Sequence, residues 1–374
     1  MISRRSFLAA GAAGALPLRP QSTPAARIES ISVISQEPGY YCGWATLAAR
    51  KNGDLLVAYS GGREAHVCPF GRVELIRSFD GGASWSWPEV LMDTAIDDRD
   101  AGVLETPAGT LLVTTFTSLA YEGVQARSKG WEPQRVARWE AVQRRTTPEQ
   151  RKALLGTWML RSTDGGMAWT APYRVPVNSP HGPIALKDGR LLYPGKKLWD
   201  PGKEVGVAES SDDGKTWRWL SAIPTRPGDK AADYHELHGI QADDGTVIVQ
   251  IRNHNPENAR ETLQCESRDG GKTWTTPHAI GVWGLPSHLL RLSNGHLLMS
   301  YGYRRAPFGN QARVSTDHGR TWSGPITISD DGIGGDLGYP ATVELPGGKL
   351  ITVWYELMKG SSRAVLRQAV WALV

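Results

Sequence analysis

"SFDGGASW" occupies residues 78–85, and its order of serine, aspartate, glycine and tryptophan returns as "STDGGMAW" (162–169), "SSDDGKTW" (210–217), "SRDGGKTW" (267–274) and "STDHGRTW" (315–322). All five fit S-x-D-x-G-x-x-W. A fixed octet that recurs through one chain marks a repeat architecture, in which each copy belongs to one supersecondary unit. Asp and Ser side chains hydrogen-bond backbone N–H groups inside a tight turn, glycines take positive φ, and the Trp packs beneath. Each octet is therefore predicted to close a β-hairpin rather than to carry chemistry.

A second phrase accompanies the octet: a short apolar strand, a turn ending in Gly, and another apolar strand. It occurs as "ATLAARKNGDLLVAY" (45–59), "AGVLETPAGTLLVTT" (101–115), "GPIALKDGRLLYPG" (182–195), "GIQADDGTVIVQI" (239–251), "HLLRLSNGHLLMSY" (288–301) and "ATVELPGGKLITVWY" (341–355). Six units of short strands with regular turn signals predict an all-β, six-bladed β-propeller with four strands per blade. The sixth unit lacks the octet, and its last segment is "RAVLRQAVWAL" (363–373). The early "ARIESISVI" (26–34) is expected to complete that blade and close the ring, which removes exposed strand edges.

The octets start 84, 48, 57 and 48 residues apart. The long first interval holds residues 121–158, charged and helix-favouring, with Thr147-Pro148-Glu149 as a helix start. This segment reads as a helical insertion in blade 2, either a lid whose Trp131 or Trp139 meets a sugar or a solvated flap.

The rest of the chain fits one domain over residues 27–374, with 42 Gly and 24 Pro for its many turns and no linker-like tract. Residues 1–26 read as a targeting segment of the twin-arginine type, with Arg4-Arg5, Phe7-Leu8 and a mild Ala/Gly/Leu run. That run is too short and weak to span a membrane, so a periplasmic or secreted protein is expected. Three arginines of the segment account for most of the net charge of +4, and no basic stripe argues for nucleic acid. Cys42, Cys68 and Cys265 make no disulfide framework, although Cys42 and Cys68 are placed to pair or to remain buried thiols.

In a propeller the first residues of the inner strands converge on the axis. Nine positions before the turn glycines Gly109, Gly245 and Gly348 lie Asp100, Glu236 and Tyr339, so three blades present an acid, an acid and a phenol at one equivalent place.

At this point the chain resembles the sialidase (neuraminidase) superfamily of aspartate-box propellers over roughly residues 27–374. "YPATVELPGGKL" (339–350) matches the family's nucleophile phrase, with Pro340 in place of its serine, and "ELHGIQADDG" (236–245) keeps the Glu and Asp-Gly spacing of its glutamate phrase. The resemblance implies a Tyr339 nucleophile with Glu236 as its proton acceptor. It also implies Arg252, and Arg304 or Arg305, as arginines reading a sugar carboxylate. A phenol with pKa near 10 needs such a base at neutral pH, and arginines grip carboxylates as a bidentate fork.

Two family features are missing. Where the first carboxylate-binding arginine belongs, the chain reads "YCGW" (41–44), and the loop "GGREAHVCPFGRVEL" (61–75) has Arg63, which is expected to bind substrate, but no acid aspartate. Glu64, His66 and Asp100 are the remaining candidates for protonating the leaving oxygen, His66 because imidazole works near neutral pH. His181, His238 and His288 sit near the inner-strand starts of blades 3, 4 and 5, in phases that differ by one residue. They are expected as polar pocket walls rather than metal ligands, and no cofactor is expected.

The reading is an exo-acting glycoside hydrolase on a terminal, acidic sugar of a glycan. A lyase or rhamnosidase using His66 and a non-catalytic glycan- or protein-binding propeller are the alternatives. Oligomeric state stays open.

Overall fold

A computed structural model of the chain describes residues 21–37 and 39–374. Arg4, Arg5 and the rest of the first twenty residues of the expected export signal lie outside the described residues. Six four-stranded antiparallel sheets follow one another along the chain, at 41–92, 97–174, 184–222, 234–283, 287–332 and 337–373. The last takes its fourth strand from Ala26–Val33, which pairs with Ala364–Leu373 from Ala26 opposite Leu373 to Val33 opposite Arg367. The fold is the six-bladed propeller, closed by the first described strand.

The five octets share one hydrogen-bond pattern. In each, the Ser Oγ accepts the backbone N–H four residues on, from Ser78–Gly82 at 2.8 Å to Ser315–Gly319 at 2.8 Å, and donates to the Asp carboxylate. Three octet tryptophans also reach into the preceding blade. Trp85 Nε1 donates to Gln368 Oε1, Trp274 Nε1 to Ser221 Oγ and Trp322 Nε1 to Gln264 Oε1, at 3.0 Å each. The octet thus closes its hairpin and ties neighbouring blades together.

On the face where the inner strands end, turn residues clasp blade to blade. Arg50 bonds Glu105 at 3.0 Å, Lys187 and Arg291 both hold Asp243, and Ser293 Oγ donates to Glu344 at 2.8 Å. Between blades the packing is apolar, and the second strands are buried along almost their whole length because both their faces meet other sheets. Cys42, Cys68 and Cys265 are buried free thiols, so Cys42 and Cys68 are not bridged.

The insertion in blade 2 folds into helices α1 (Ala120–Gln125), α2 (Pro133–Gln143) and α3 (Pro148–Leu154). Thr147 caps α3, its side chain accepting from Gln150 N while the Gln150 side chain accepts from Thr147 N. Tyr121 and Trp139 are buried against Cys68 and Ile96, and Trp131 packs edge-on against Trp139 at 4.7 Å. The buried Trp139 holds the insertion down on blades 1 and 2 and is not a sugar platform.

Across the blade 1–blade 2 seam, Arg63 and Asp97 form a bidentate pair at 2.6 and 3.0 Å with both side chains 0% exposed. Breaking such a pair strands a buried charge. Arg63→Ala is expected to lower the unfolding free energy by about 3–5 kcal/mol, measured by denaturant titration; a loss under about 1 kcal/mol, the range of an exposed pair, would contradict this account.

Candidate active site

The inner strands of blades 2, 4 and 6 each carry an irregularity near their start. Pairing with the second strand slips between Arg99 and Gly102, between His235 and His238, and between Gly338 and Ala341. Inside each slip sits one non-glycine residue with left-handed φ: Asp100 at +45°, Glu236 at +42° and Tyr339 at +56°. A bulge re-aims a side chain, and left-handed backbone at such residues costs on the order of 1–3 kcal/mol, a strain typical of functional sites. Trp44, nine positions before Gly53, repeats the feature in blade 1 with φ +54°. The same count from the turn glycine would have found it.

The re-aimed side chains meet. Tyr339 Oη donates to Glu236 Oε1 at 2.5 Å, and Arg252 Nη1 reaches both Glu236 Oε2 at 2.5 Å and Tyr339 Oη at 3.1 Å. Burial and the neighbouring Glu236 charge push the Tyr339 phenol well above its usual range, so it rests neutral. Burial works against ionisation of Glu236, but the Arg252 charge and the Tyr339 hydroxyl outweigh it and hold the carboxyl below its usual range. Asp100, 6% exposed, goes the other way. Burial, aided by the Glu236 charge and opposed by Arg99, pushes its carboxyl up to about 7.

Arg304 and Arg305 part company. Arg304 donates Nε to Leu337 O at 2.8 Å, places its guanidinium 5.6 Å from the Tyr339 ring centroid, and keeps a buried Nη2 with no partner. Arg305 lies exposed on the rim, stacked on Trp283 at 4.3 Å, with Nε bonded to Tyr303 Oη. Beside Arg252 and Arg304 opens a cavity of about 470 Å³ that also touches His254, Arg260 and Trp283.

The blade 1 candidates separate as well. Arg63 was expected to face substrate, but its guanidinium is consumed by Asp97, Ser60 Oγ and the carbonyls of Ala65 and His66. Glu64 was a candidate acid, but Arg135 and Arg138 of α2 take its carboxylate at 2.6 and 3.1 Å. His66 stays at the mouth with its side chain 48% exposed. Its Nδ1 lies 3.0 Å from Asp336 Oδ1 and 2.9 Å from Tyr41 Oη, while its ring stands edge-on to Trp44 at 4.9 Å. Tyr41 Oη also donates to Asp336 at 2.8 Å. Burial opposes the Asp336 charge, yet the His66 and Tyr41 bonds hold that carboxyl below its usual range. Tyr355 lies between the two groups, its ring 5.8 Å from Tyr339 and 6.1 Å from Tyr41, with a buried hydroxyl that meets no partner within hydrogen-bonding geometry. Asp336 stands twelve positions before Gly348, in the phase of Asp97 before Gly109 and Asp233 before Gly245, and Tyr355 stands seven after Gly348, in the phase of Arg252 after Gly245, so the count from the turn glycine could have found both.

His181, His238 and His288 are not walls of this site. They cluster on the axis one layer beneath it, His238 stacked on His288 and His181 edge-on to both, with centroids 4.6–5.3 Å apart and His181 6.3 Å from Tyr339. Burial, reinforced by neighbouring imidazoles for His181 and His238, holds all three well below the usual histidine range, so they rest neutral. His238 Nδ1 accepts from Leu289 N at 2.9 Å, which fixes its proton on Nε2. A funnel of about 760 Å³ enters from the opposite face, past Glu105, Asp243 and Glu344, and ends on them. The three rings are the plug between the two faces.

Comparison with known proteins agrees with this geometry. The chain is 29% identical over 209 residues to a sialidase of Micromonospora viridifaciens, covering 46% of this chain and 31% of that protein. It is 27% identical over 188 residues to a xyloglucanase of Acetivibrio thermocellus, covering 44% of this chain and 20% of that one. The matches therefore span less than a third of either enzyme. Among solved structures, a protein of unknown function from Dyadobacter fermentans superposes with a TM-score of 0.75 at 23% identity, covering 94% of this chain and 100% of its own. The NanB sialidase of Streptococcus pneumoniae does so with a TM-score of 0.63 at 14% identity, covering 95% of this chain and 71% of its own. At those identities the structures establish the fold. The family model for the BNR repeat-like domain matches residues 139–352, well over half of the chain, and with the octets and the six blades it places this protein in the BNR repeat-like domain family.

Proposed function

We propose that the protein is an exported, retaining exo-glycoside hydrolase acting on a terminal sugar with an acidic group. The observation that carries the reading is the 2.5 Å bond from Tyr339 Oη to Glu236 Oε1, with Arg252 bridging both. Glycan-active relatives support the hydrolase class, and Arg4-Arg5 supports export.

In the first step the Tyr339 oxygen bonds to the anomeric carbon as its proton passes to Glu236, and the glycosidic C–O bond breaks. A neutral phenol approaches an anionic sugar without charge repulsion, and Glu236 is the base that makes it nucleophilic. The leaving oxygen takes a proton from His66, which Asp336 orients at the mouth. In the second step His66 deprotonates a water that attacks the anomeric carbon, the sugar–tyrosine bond breaks, and Glu236 returns the proton to Tyr339. Asp100, carrying its proton below about pH 7, would donate to a sugar hydroxyl.

The same His66 and Tyr339 serve the second reading, a lyase on a uronate-linked sugar, because both face the mouth and both move protons. Aryl glycosides of sialic acid, rhamnose and hexuronic acids separate the readings. Turnover that disappears in Tyr339→Phe and falls on the order of 10²–10⁴-fold in Glu236→Gln, with circular dichroism unchanged, is the expected result. Ultraviolet absorbance of a new double bond would select the lyase. Undiminished glycan binding without turnover would select the binding propeller. His66→Ala should cost on the order of 10²–10⁴-fold in kcat/KM with a poor leaving group and little in kcat/KM with a nitrophenol, whose departure needs no acid; equal losses of kcat/KM on both would remove His66 from the proton-donor role.

Asp100 gives a pH test that needs no substrate. Its folded carboxyl holds a proton up to about 7 against an ordinary value of 3.8. Its contribution to stability is therefore complete below pH 4 and is lost as pH rises through 7. Asp100→Asn should raise Tm more at pH 8 than at pH 4; the same shift at both would show that Asp100 does not titrate in this range.

A further inference from the structure

Blade 3 sends no re-aimed side chain into the site, because nine positions before its turn glycine, Gly189, stands Pro180. Its polar residues reach toward blade 4 instead, on both sides of Glu236. After Glu236, Ser179 Oγ donates to the Leu237 carbonyl. Ser179 is itself fixed by Tyr193, whose Oη accepts from Ser179 N and donates to Ser179 O at 3.0 Å each. Before Glu236, Lys196 Nζ donates to the Ala232 carbonyl at 2.6 Å and lies 3.4 Å from His235 Nδ1.

Lys196 ends the strand Leu191–Lys196, seven positions after Gly189, in the phase of Arg252 after Gly245. It is 3% exposed and pairs with no carboxylate among the described residues. A buried ammonium without a counter-ion is costly to keep charged. Burial, reinforced by the Lys203 charge and opposed by Asp233 and Glu236 from beyond ion-pair distance, brings it down to about 8. His235, which faces it, is neutral: burial and the Lys196 charge hold the imidazole down to about 4, against the pull of Glu236 and with His254 and Arg252 adding to the shift.

The segment that Lys196 grips leads into a strained residue. A single helical turn, Ala231–Asp233, is followed by Tyr234, His235 and then Glu236 at φ +42°. Such backbone persists only where its surroundings over-determine it. Blade 4 supplies part of the hold, through His254 N to Asp233 O at 2.9 Å and Lys230 N to Asn255 Oδ1 at 2.8 Å. Lys196 adds the hold from the neighbouring blade.

We propose that Lys196 is a positioning residue for Glu236: through the Ala232 carbonyl and His235 it fixes the carboxylate against Tyr339, and its grip loosens when the ammonium gives up its proton. Ser179 steadies the far side. This rests on the hydrolase reading for what Glu236 does, but not for where it is held.

Lys196→Met keeps the length of the side chain and removes the buried charge. Wild type carries the cost of burying the ammonium below about pH 8 and sheds it as pH rises toward the ordinary value of 10.5. The variant should therefore melt no lower than wild type at pH 7, with an advantage that shrinks by pH 10. On a nitrophenyl glycoside that wild type cleaves, its kcat should fall on the order of 10–100-fold. Its KM should stay within about twofold, since ground-state binding is not what is lost. Wild-type kcat should decline as pH rises through about 8, a step that Lys196→Met lacks. Lys196→Arg, which keeps charge and donors, should recover part of the loss. Lys197→Met, whose residue pairs with Glu204 and lies over Trp219, should change nothing. A variant kcat within about twofold of wild type, or a loss of kcat accompanied by a lower Tm at pH 7, overturns the proposal.

Two NMR signals read the same residue without substrate. In protein with isotope-labelled histidine, the His235 ring should shift with a midpoint near pH 8 in wild type and stay still there in Lys196→Met. In protein with isotope-labelled glutamate, the Glu236 carboxyl should titrate at higher pH in Lys196→Met than in wild type. Either signal left unchanged by the substitution overturns the proposal. The hydrolase reading fails separately: both signals responding in a protein inert on every glycoside keeps Lys196 as the brace of Glu236 and removes hydrolysis.

Discussion

The pairing of Ala26–Val33 with Ala364–Leu373 joins the two ends of the described chain, and the site depends on it. Tyr339 and Asp336 belong to the blade that this pairing completes, whereas Trp44, Tyr41 and His66 belong to the next one round. Contacts across that seam, such as Tyr41 to Asp336 at 2.8 Å, exist only if blade 6 is held against blade 1. Turn clasps join blades 1 to 2, 3 to 4, 4 to 5 and 5 to 6, and octet tryptophans join blades 3 to 4 and 4 to 5, all of which adjoin in sequence. The seam between blades 6 and 1 joins blades at opposite ends of the chain, so ring closure carries the entropy of a long loop. In return it covers the edge of Ala364–Leu373 and leaves the six inner strands facing one another. Trp85, bonded to Gln368, uses the first octet to lock the same seam from outside.

Inner strands meeting at an axis would ordinarily point small or apolar residues inward. Here four of them break register near the start and hold a bulky residue at positive φ. The strain is tolerated because the strands below are anchored: Ser, Thr and apolar side chains fill the middle layers, and the histidine plug closes the axis. The plug also sets the electrostatics. Three neutral imidazoles beneath Tyr339 add no positive charge that would draw the proton off the phenol, so the acid–base balance of the site is left to Glu236, Asp100 and the arginines.

What the sequence made legible was whatever repeats. The octets and the turn glycines recur in phase, so they disclosed the blade number, the closing strand and the equivalence of Asp100, Glu236 and Tyr339. Arg63 and Glu64 resisted because a charged residue in a loop looks the same whether it meets substrate or another side chain. Asp97 and the α2 arginines, 34 to 74 residues away, decide the matter. The three histidines were placed at the right strands but at the wrong depth. A residue seven or eight rather than nine positions before the turn glycine sits farther along the strand, in the layer below the site. Asp336 shares the phase of Asp97 and Asp233, and Tyr355 that of Arg252, but the phase alone does not disclose the Tyr41 and His66 partners that hold Asp336 at the mouth.

Arg252 links the fold's electrostatics to the chemistry. Its Nη1 is shared between Glu236 and Tyr339, which keeps Glu236 ionised but weakly basic. A sugar carboxylate reaching the neighbouring cavity would compete for that guanidinium and add a negative charge near Glu236. Both effects raise the proton affinity of Glu236, and so strengthen the base at the moment when Tyr339 must give up its proton. The Asp100 carboxyl, already near neutrality, would be driven further toward its protonated form by the same charge. A ligand without that charge would leave Glu236 held by Arg252 as before, ionised but a poor proton acceptor. On the proposed mechanism the acidic group would then serve as a condition for reaction as well as a handle for binding, because its charge falls on the pair that would perform the first step.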